Sequence, residues 1–210
     1  MPSESKCAAI TIDEAKALSE LYGIKHDLEL AHSLAGSVIR DLGERSPDFI
    51  MMEGLVSAAI VRYGRCFKSG VRAKFRKEWL DSLTEEMRGM HDYFISLRDK
   101  YIAHSVNPYE DSYVTATITV KDGVKEPISH IGAGIERVVL SKSEATALSA
   151  LVFKLRDIID EKVHEEENRL LNILQNLSIE EQHSFDLKEP IKARLEDVGT
   201  PRKPYNQGKQ

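Results

Sequence analysis

Leu97-Arg98-Asp99-Lys100-Tyr101-Ile102-Ala103-His104-Ser105 sets an arginine and a histidine six residues apart, with an acid directly after the arginine. Histidine passes a proton near neutral pH, and the planar arginine fork holds a phosphate through paired donors. Together they form a minimal kit for cutting RNA without a metal, provided something brings them to one point. On an α-helix they do not share a stripe, because six positions turn the chain by about 600° and leave the side chains about 120° apart. A two-fold axis near the end of the segment would put two arginines and two histidines into one cleft. The alternative is structural. A histidine at a helix terminus is favoured by the negative end of the helix dipole, with Arg98 on the surface.

The segment that must carry this pair is strongly amphipathic. Leu80, Leu83, Met87, Met90, Phe94, Leu97, Tyr101 and His104 recur at spacings of three and four, an apolar seam that needs a partner. Ser82 with Glu85 is a candidate capping box at its start, and Asn107-Pro108 ends it. A homodimer through the 80–104 helix is the expected partner.

Helices also precede it. Thr11 with Glu14 marks a start near Ile12, with a pause at Gly23 and a stop at Gly43. Ser46-Pro47 caps a second helix that buries Met52, Val56, Ala59, Tyr63 and Cys66 and ends near Gly70. Trp79 falls in the short connection that follows. After Pro108 the β-branched run Tyr113–Val120 and the turn Asp122-Gly123 predict a hairpin. A further short strand is expected over Ile135–Leu140, after Gly132-Ala133-Gly134. Ser143 then caps a long helix with the apolar face Leu148, Leu151, Val152, Leu155, Ile158, Ile159 and Val163, continuing to Leu177. The fold class is therefore all-α, a helical domain over 1–177 with a β insertion at about 112–140. Residues 178–210 form a polar C-terminal tail, expected to be partly disordered.

The composition of this 210-residue chain, 41% hydrophobic and 30% charged, is that of an ordinary soluble protein, with no apolar run of the roughly 20 residues that span a membrane. The N-terminus lacks the order of a secretory signal, and Cys7 and Cys66 belong to no metal-ligand spacing, so a reducing cytoplasmic location is expected. No cofactor loop and no zinc spacing is present, and neither a cofactor nor a metal is expected. The pairs His26-Asp27 and His91-Asp92 read as surface polar residues, since neighbours one apart on a helix diverge. The net charge of −5 hides an asymmetry. Residues 62–77 hold seven cations (Arg62, Arg65, Lys68, Arg72, Lys74, Arg76, Lys77) and no acid. Removing those seven from 29 basic residues leaves 22 against 34 acidic ones, a balance of −12. Such a patch concentrates affinity for anions, although it also suits a solvated helix end.

Leu97–Ser105 resembles the Arg-x(4–6)-His motif of HEPN domains, with Asp99 as the polar residue that often follows the arginine. Ala58–Arg72 is similar to the second-helix region of the abortive-infection type of HEPN protein. The resemblance covers about Ile24 to Leu177. It implies an antiparallel bundle of four to five helices that dimerises to form a composite cleft. Active members are metal-independent ribonucleases of toxin–antitoxin and abortive-infection systems, while others have lost catalysis and serve as binding modules. On this resemblance His104 is the general base or acid, Arg98 stabilises charge on the phosphate, and Asp99 orients its neighbours. Arg62, Arg65, Lys68 and Arg72 hold the RNA backbone, and a neutralising partner protein is possible. Val106 stands where one toxin group carries a modifiable tyrosine. The rival expectations are a non-catalytic interaction module, and a nucleic-acid-binding regulator that uses the basic segment alone.

Overall fold

The computed structural model describes residues 9–10, 12–44, 46–68, 73–102, 112–135, 139–185 and 199. The chain is mainly helical, with a small antiparallel β element before its longest described helix. A 3-10 turn, Asp13–Ala15, leads into α1, Lys16–Asp41, which runs through Gly23 without the expected pause. Ile24, Leu28, Ala31, Ala35 and Val38 form a buried stripe along it. Their burial outweighs the roughly 1 kcal/mol that one internal glycine costs. Thr11, half of the expected capping box, lies outside the described residues.

The second helix, α2, spans Phe49–Arg65 and is capped by Asp48 rather than Ser46. Asp48 Oδ1 accepts the backbone N–H groups of Ile50 and Met51, each at 3.0 Å. It buries Met52, Val56, Ala59 and Tyr63 of the anticipated face, and Ile60 in addition. Trp79 follows inside a 3-10 turn, Lys77–Ser82. This turn takes up Leu80 and Ser82, so α3 begins only at Glu85, with the Thr84 hydroxyl accepting the Met87 N–H at 3.2 Å. Helix α3 runs from Glu85 to Leu97 and widens into a π turn over Arg98–Ile102. Leu83, Phe94 and Leu97 of the seam are buried within the chain itself.

The β element differs from expectation in its last strand. Strands β1, Ser112–Thr117, and β4, His130–Ile135, pair antiparallel, with Tyr113 opposite Gly134 and Thr115 opposite Gly132. Short strands β2, Val120–Lys121, and β3, Val124–Lys125, flank Asp122-Gly123, whose positive φ values of 51° and 80° supply the tight turn. Gly132 and Gly134, expected to precede the last strand, sit inside β4, and residues 136–138 of the strand expected at 135–140 lie outside the described residues. A side chain at Gly134 would strike the Tyr113 ring, and one at Gly132 the Thr115 hydroxyl. Cross-strand neighbours fill the space that the glycines leave open.

The long helix α4 spans Lys142–Gln175. Its cap is Ser141, two residues before the expected Ser143: the Ser141 hydroxyl accepts the Glu144 N–H, and the Glu144 carboxylate accepts the Ser141 N–H at 2.8 Å. A short helix, α5, Ile179–His183, opens the polar tail with a capping box of Ser178 and Glu181. The rest of the tail, residue 199 apart, lies beyond the described residues from 186 onward.

Two compact units emerge. Unit one takes the chain up to Glu29, the segment Arg65–Asp81 and the part from Phe153 onward; unit two takes Leu30–Gly64 and Ser82–Val152. Ile24, Leu28, Phe75, Leu155 and Ile159 are core residues of the first, and Val38, Met52, Tyr63, Phe94 and Leu148 of the second. Each such side chain contributes about 1.5–3 kcal/mol by leaving water. Among the described residues no helix is long and apolar enough to cross a membrane.

Candidate functional site

Arg98 and Asp99 lie in unit two, in the first turn of the π segment. A π turn makes i→i+5 bonds and is a rare form that favours functional positions. Over Arg98–Ile102 it also turns the chain less per residue than an α-helix. Arg98 Nη1 donates to Asp99 Oδ1 at 3.0 Å, and both side chains are about one-third exposed. The pair therefore reaches solvent. The adjacent acid fixes the guanidinium while leaving donors for an anion.

Helix α2 supports this arginine. A methyl group on Gly64 would stand 2.9 Å from Arg98 Cγ and 3.2 Å from Cδ, so the missing side chain makes room for the arginine stem. Beside it Tyr63 is fully buried, and its hydroxyl lies 2.6 Å from His91 Nδ1. Its ring meets Phe94 edge-on at 6.1 Å. His91 precedes Arg98 by seven residues, two helical turns along one face of α3. The two contacts, Tyr63 on His91 and Gly64 on Arg98, fix α3 against α2 next to the motif.

His104 and Arg72 lie outside the described residues. The remaining basic candidates are divided between the units: Arg62 belongs with Arg98 in unit two, Arg65 and Lys68 in unit one. Arg62 and Lys68 are half-buried. Arg65 has a structural engagement, with Nε 3.4 Å from Asp27 Oδ2, and the Asp27 side chain is only 4% exposed. This corrects the reading of Asp27 as a surface residue, while His26 is exposed as expected. Glu20, also buried, accepts the Ala73 N–H at 3.0 Å. A signal for both was present, since Glu20 and Asp27 fall on the stripe of Ile24, Leu28 and Ala31. His91 likewise shares a face with Met87 and Phe94, and is no free surface histidine.

Unit two also has an apolar cavity of about 440 Å³ between Met90, Tyr93 and Phe94 of α3 and Ala147 of α4. Tyr93 donates from its hydroxyl to Glu144 Oε1 at 2.7 Å at the edge of this cavity. Burial opposes ionisation of Glu144, but hydrogen bonds from the Ser141 hydroxyl, the Tyr93 hydroxyl and the Ser141 N–H outweigh it. Its carboxyl is therefore held below the ordinary value of 4.5. Among the described residues no three histidine, cysteine, aspartate or glutamate side chains gather to hold a metal. Comparison with protein-family models, with curated proteins and with solved structures gives no match for the chain.

Proposed function

We propose that this protein is a metal-independent RNA endonuclease of the HEPN type, acting in a defence or toxin–antitoxin setting in the cytoplasm. The observation that carries the reading is Arg98. It is solvent-reachable, aligned by Asp99 at 3.0 Å, seated over Gly64, and six residues ahead of His104 in the sequence. An arginine built into a helix junction in this way suits a phosphate better than a solvated surface does.

In the proposed reaction the ribose 2′-oxygen attacks the adjacent phosphorus while the bond from phosphorus to the 5′-oxygen breaks. His104 takes the 2′-hydroxyl proton or gives a proton to the leaving 5′-oxygen. Arg98 stabilises the extra negative charge on the phosphate oxygens, and Asp99 orients the guanidinium. The products are a 2′,3′-cyclic phosphate and a 5′-hydroxyl end. Two copies of α3 would complete the cleft. Leu83, Phe94 and Leu97 are already buried within one chain, so a homodimer through this helix would use the half-exposed flank of Met90 and Tyr93. A neutralising partner belongs to the same reading.

The test is incubation of purified protein with total RNA in EDTA. Wild type is expected to cleave, and Arg98→Ala and His104→Ala to lose about 10²- to 10⁴-fold in rate. Equal cleavage by wild type and His104→Ala would sink the assignment.

A second reading, a non-catalytic interaction module, draws on the β element. Every residue from Ser112 to Ile131 is exposed, including Val114 at 75%, Val124 at 68% and Ile131 at 61%. Exposed apolar strands of this kind mark contact surfaces. Loss of thermal stability in His104→Ala, with no cleavage under any condition, would favour this reading over the first.

A further inference from the structure

We propose that unit one carries a nucleotide-binding pocket, in which Trp79 takes the base and Lys74 and Arg76 take the phosphate. Unit one contains a cavity of about 280 Å³, a size for one small ligand and not for a folded chain. Leu21 and Ile24 supply apolar lining, Trp79 supplies a large aromatic surface, and Lys74 and Arg76 bring positive charge.

The indole is held in place before any ligand arrives. Phe75 is 3% exposed, donates its N–H to the Cys66 carbonyl at 2.6 Å, and meets Trp79 at 82° with centroids 5.3 Å apart. Phe67 packs against the other end of this cluster, 5.3 Å from Phe75. A rigid aromatic surface loses little entropy when a base stacks on it, and such stacking tolerates any base. The Arg76 guanidinium lies 5.5 Å from the Trp79 ring centroid, so charge and aromatic surface share one spot.

The charge favours an anion. Glu165 and Glu166 also line the cavity, but Glu165 is bound by Lys162 at 2.6 Å and Glu166 by Arg169 at 2.5 Å. Lys74 and Arg76 make no ion pair with any described residue. Both are exposed on either side of the buried Phe75, an alternation that turns the two cations toward solvent together. Two cations that no described carboxylate pairs, one of them already against the indole, match a phosphate joined to a flat base, whether free or within an RNA strand. The site is independent of Arg98 and His104, and rests on the nucleic-acid reading only in taking a nucleotide as its ligand.

Trp79 is the only tryptophan in the chain, so its fluorescence reports on this pocket alone. The full-length protein is titrated with AMP, with inorganic phosphate, and with a 2′-O-methyl oligonucleotide that cannot be cleaved by 2′-hydroxyl attack. Saturable quenching by AMP supports a free nucleotide, and quenching by the oligonucleotide alone supports a nucleotide within a strand. In either case Lys74→Glu with Arg76→Glu is expected to weaken binding at least about tenfold. Both positions are exposed, and a circular dichroism melt confirms that the double variant folds. The proposal is overturned by absence of quenching with AMP and oligonucleotide alike, or by equal quenching in the folded double variant. Inorganic phosphate quenching as strongly as AMP overturns it too, because nothing then reads the base. RNA cleavage is not part of the readout, so failure here and failure of the ribonuclease assignment are separate results.

Discussion

A methyl group on Gly64 would stand 2.9 Å from Arg98 Cγ, closer than carbon atoms pack, so Gly64→Ala must move the arginine stem or part α2 from α3. Overpacking of this kind costs about 1–3 kcal/mol. The expected outcome is a lower urea midpoint with an unchanged slope, together with loss of any RNA cleavage. A variant as stable and as active as wild type would show that Arg98 needs no such seat. Tyr63→Phe tests the neighbouring contact differently. The ring still fills its buried site, but His91 Nδ1 loses the hydroxyl 2.6 Å away. The expected cost is about 1 kcal/mol, the net worth of one hydrogen bond, read from the same denaturation curve.

At the scale of elements, the N-terminus of α4 couples helix stability to pH. Ser141→Ala removes the acceptor for the Glu144 N–H and is expected to cost about 1 kcal/mol. The Glu144 carboxyl is held below 4.5 when folded, so its stabilisation is fully present above that value and is lost as the pH falls through the lower folded value. Tyr93→Phe removes one of the hydrogen bonds responsible. Melting temperature plotted against pH should then fall less steeply on the acid side. An unchanged acid limb would assign the loss to other carboxylates. The same elements show how far periodicity carries. The apolar stripes of α2, α3 and α4 were readable because burial repeats every three or four residues. Their first residues were not, because Ser46 competes with Asp48, Ser82 with Thr84, and Ser143 with Ser141, all good caps within two positions. Strand β4 escaped because its glycines read as loop until Tyr113 and Thr115 are set across from them. The Arg98-Asp99 pair was visible as a motif. Gly64 beneath it, and Tyr63 on His91, depend on contacts between helices about 30 residues apart, which no local pattern encodes.

The chain as a whole is acidic, −5, while residues 62–77 hold seven cations and no acid. On the proposed ribonuclease reading these cations supply the contacts to the phosphate strand, so RNA binding is expected to fall steeply with salt. For single strands the logarithmic slope is about −0.7 per phosphate neutralised, and three or four contacts give roughly −2 to −3. Within that region the cations are not equivalent. Arg62→Glu is expected to weaken binding at every sequence and to reduce the slope by about 0.7. Arg65→Glu acts on the fold. It sets a second carboxylate beside Asp27, whose side chain is 4% exposed and 3.4 Å from the arginine it would lose. Removing one partner from a pair buried on one side costs about 2 kcal/mol or more, even after allowing for the solvent that reaches Arg65. Melting and salt-dependent binding measured on both variants separate the roles. If Arg65→Glu melts with wild type and only the salt slope changes, Arg65 belongs to the nucleic-acid surface and Asp27 is not held by it.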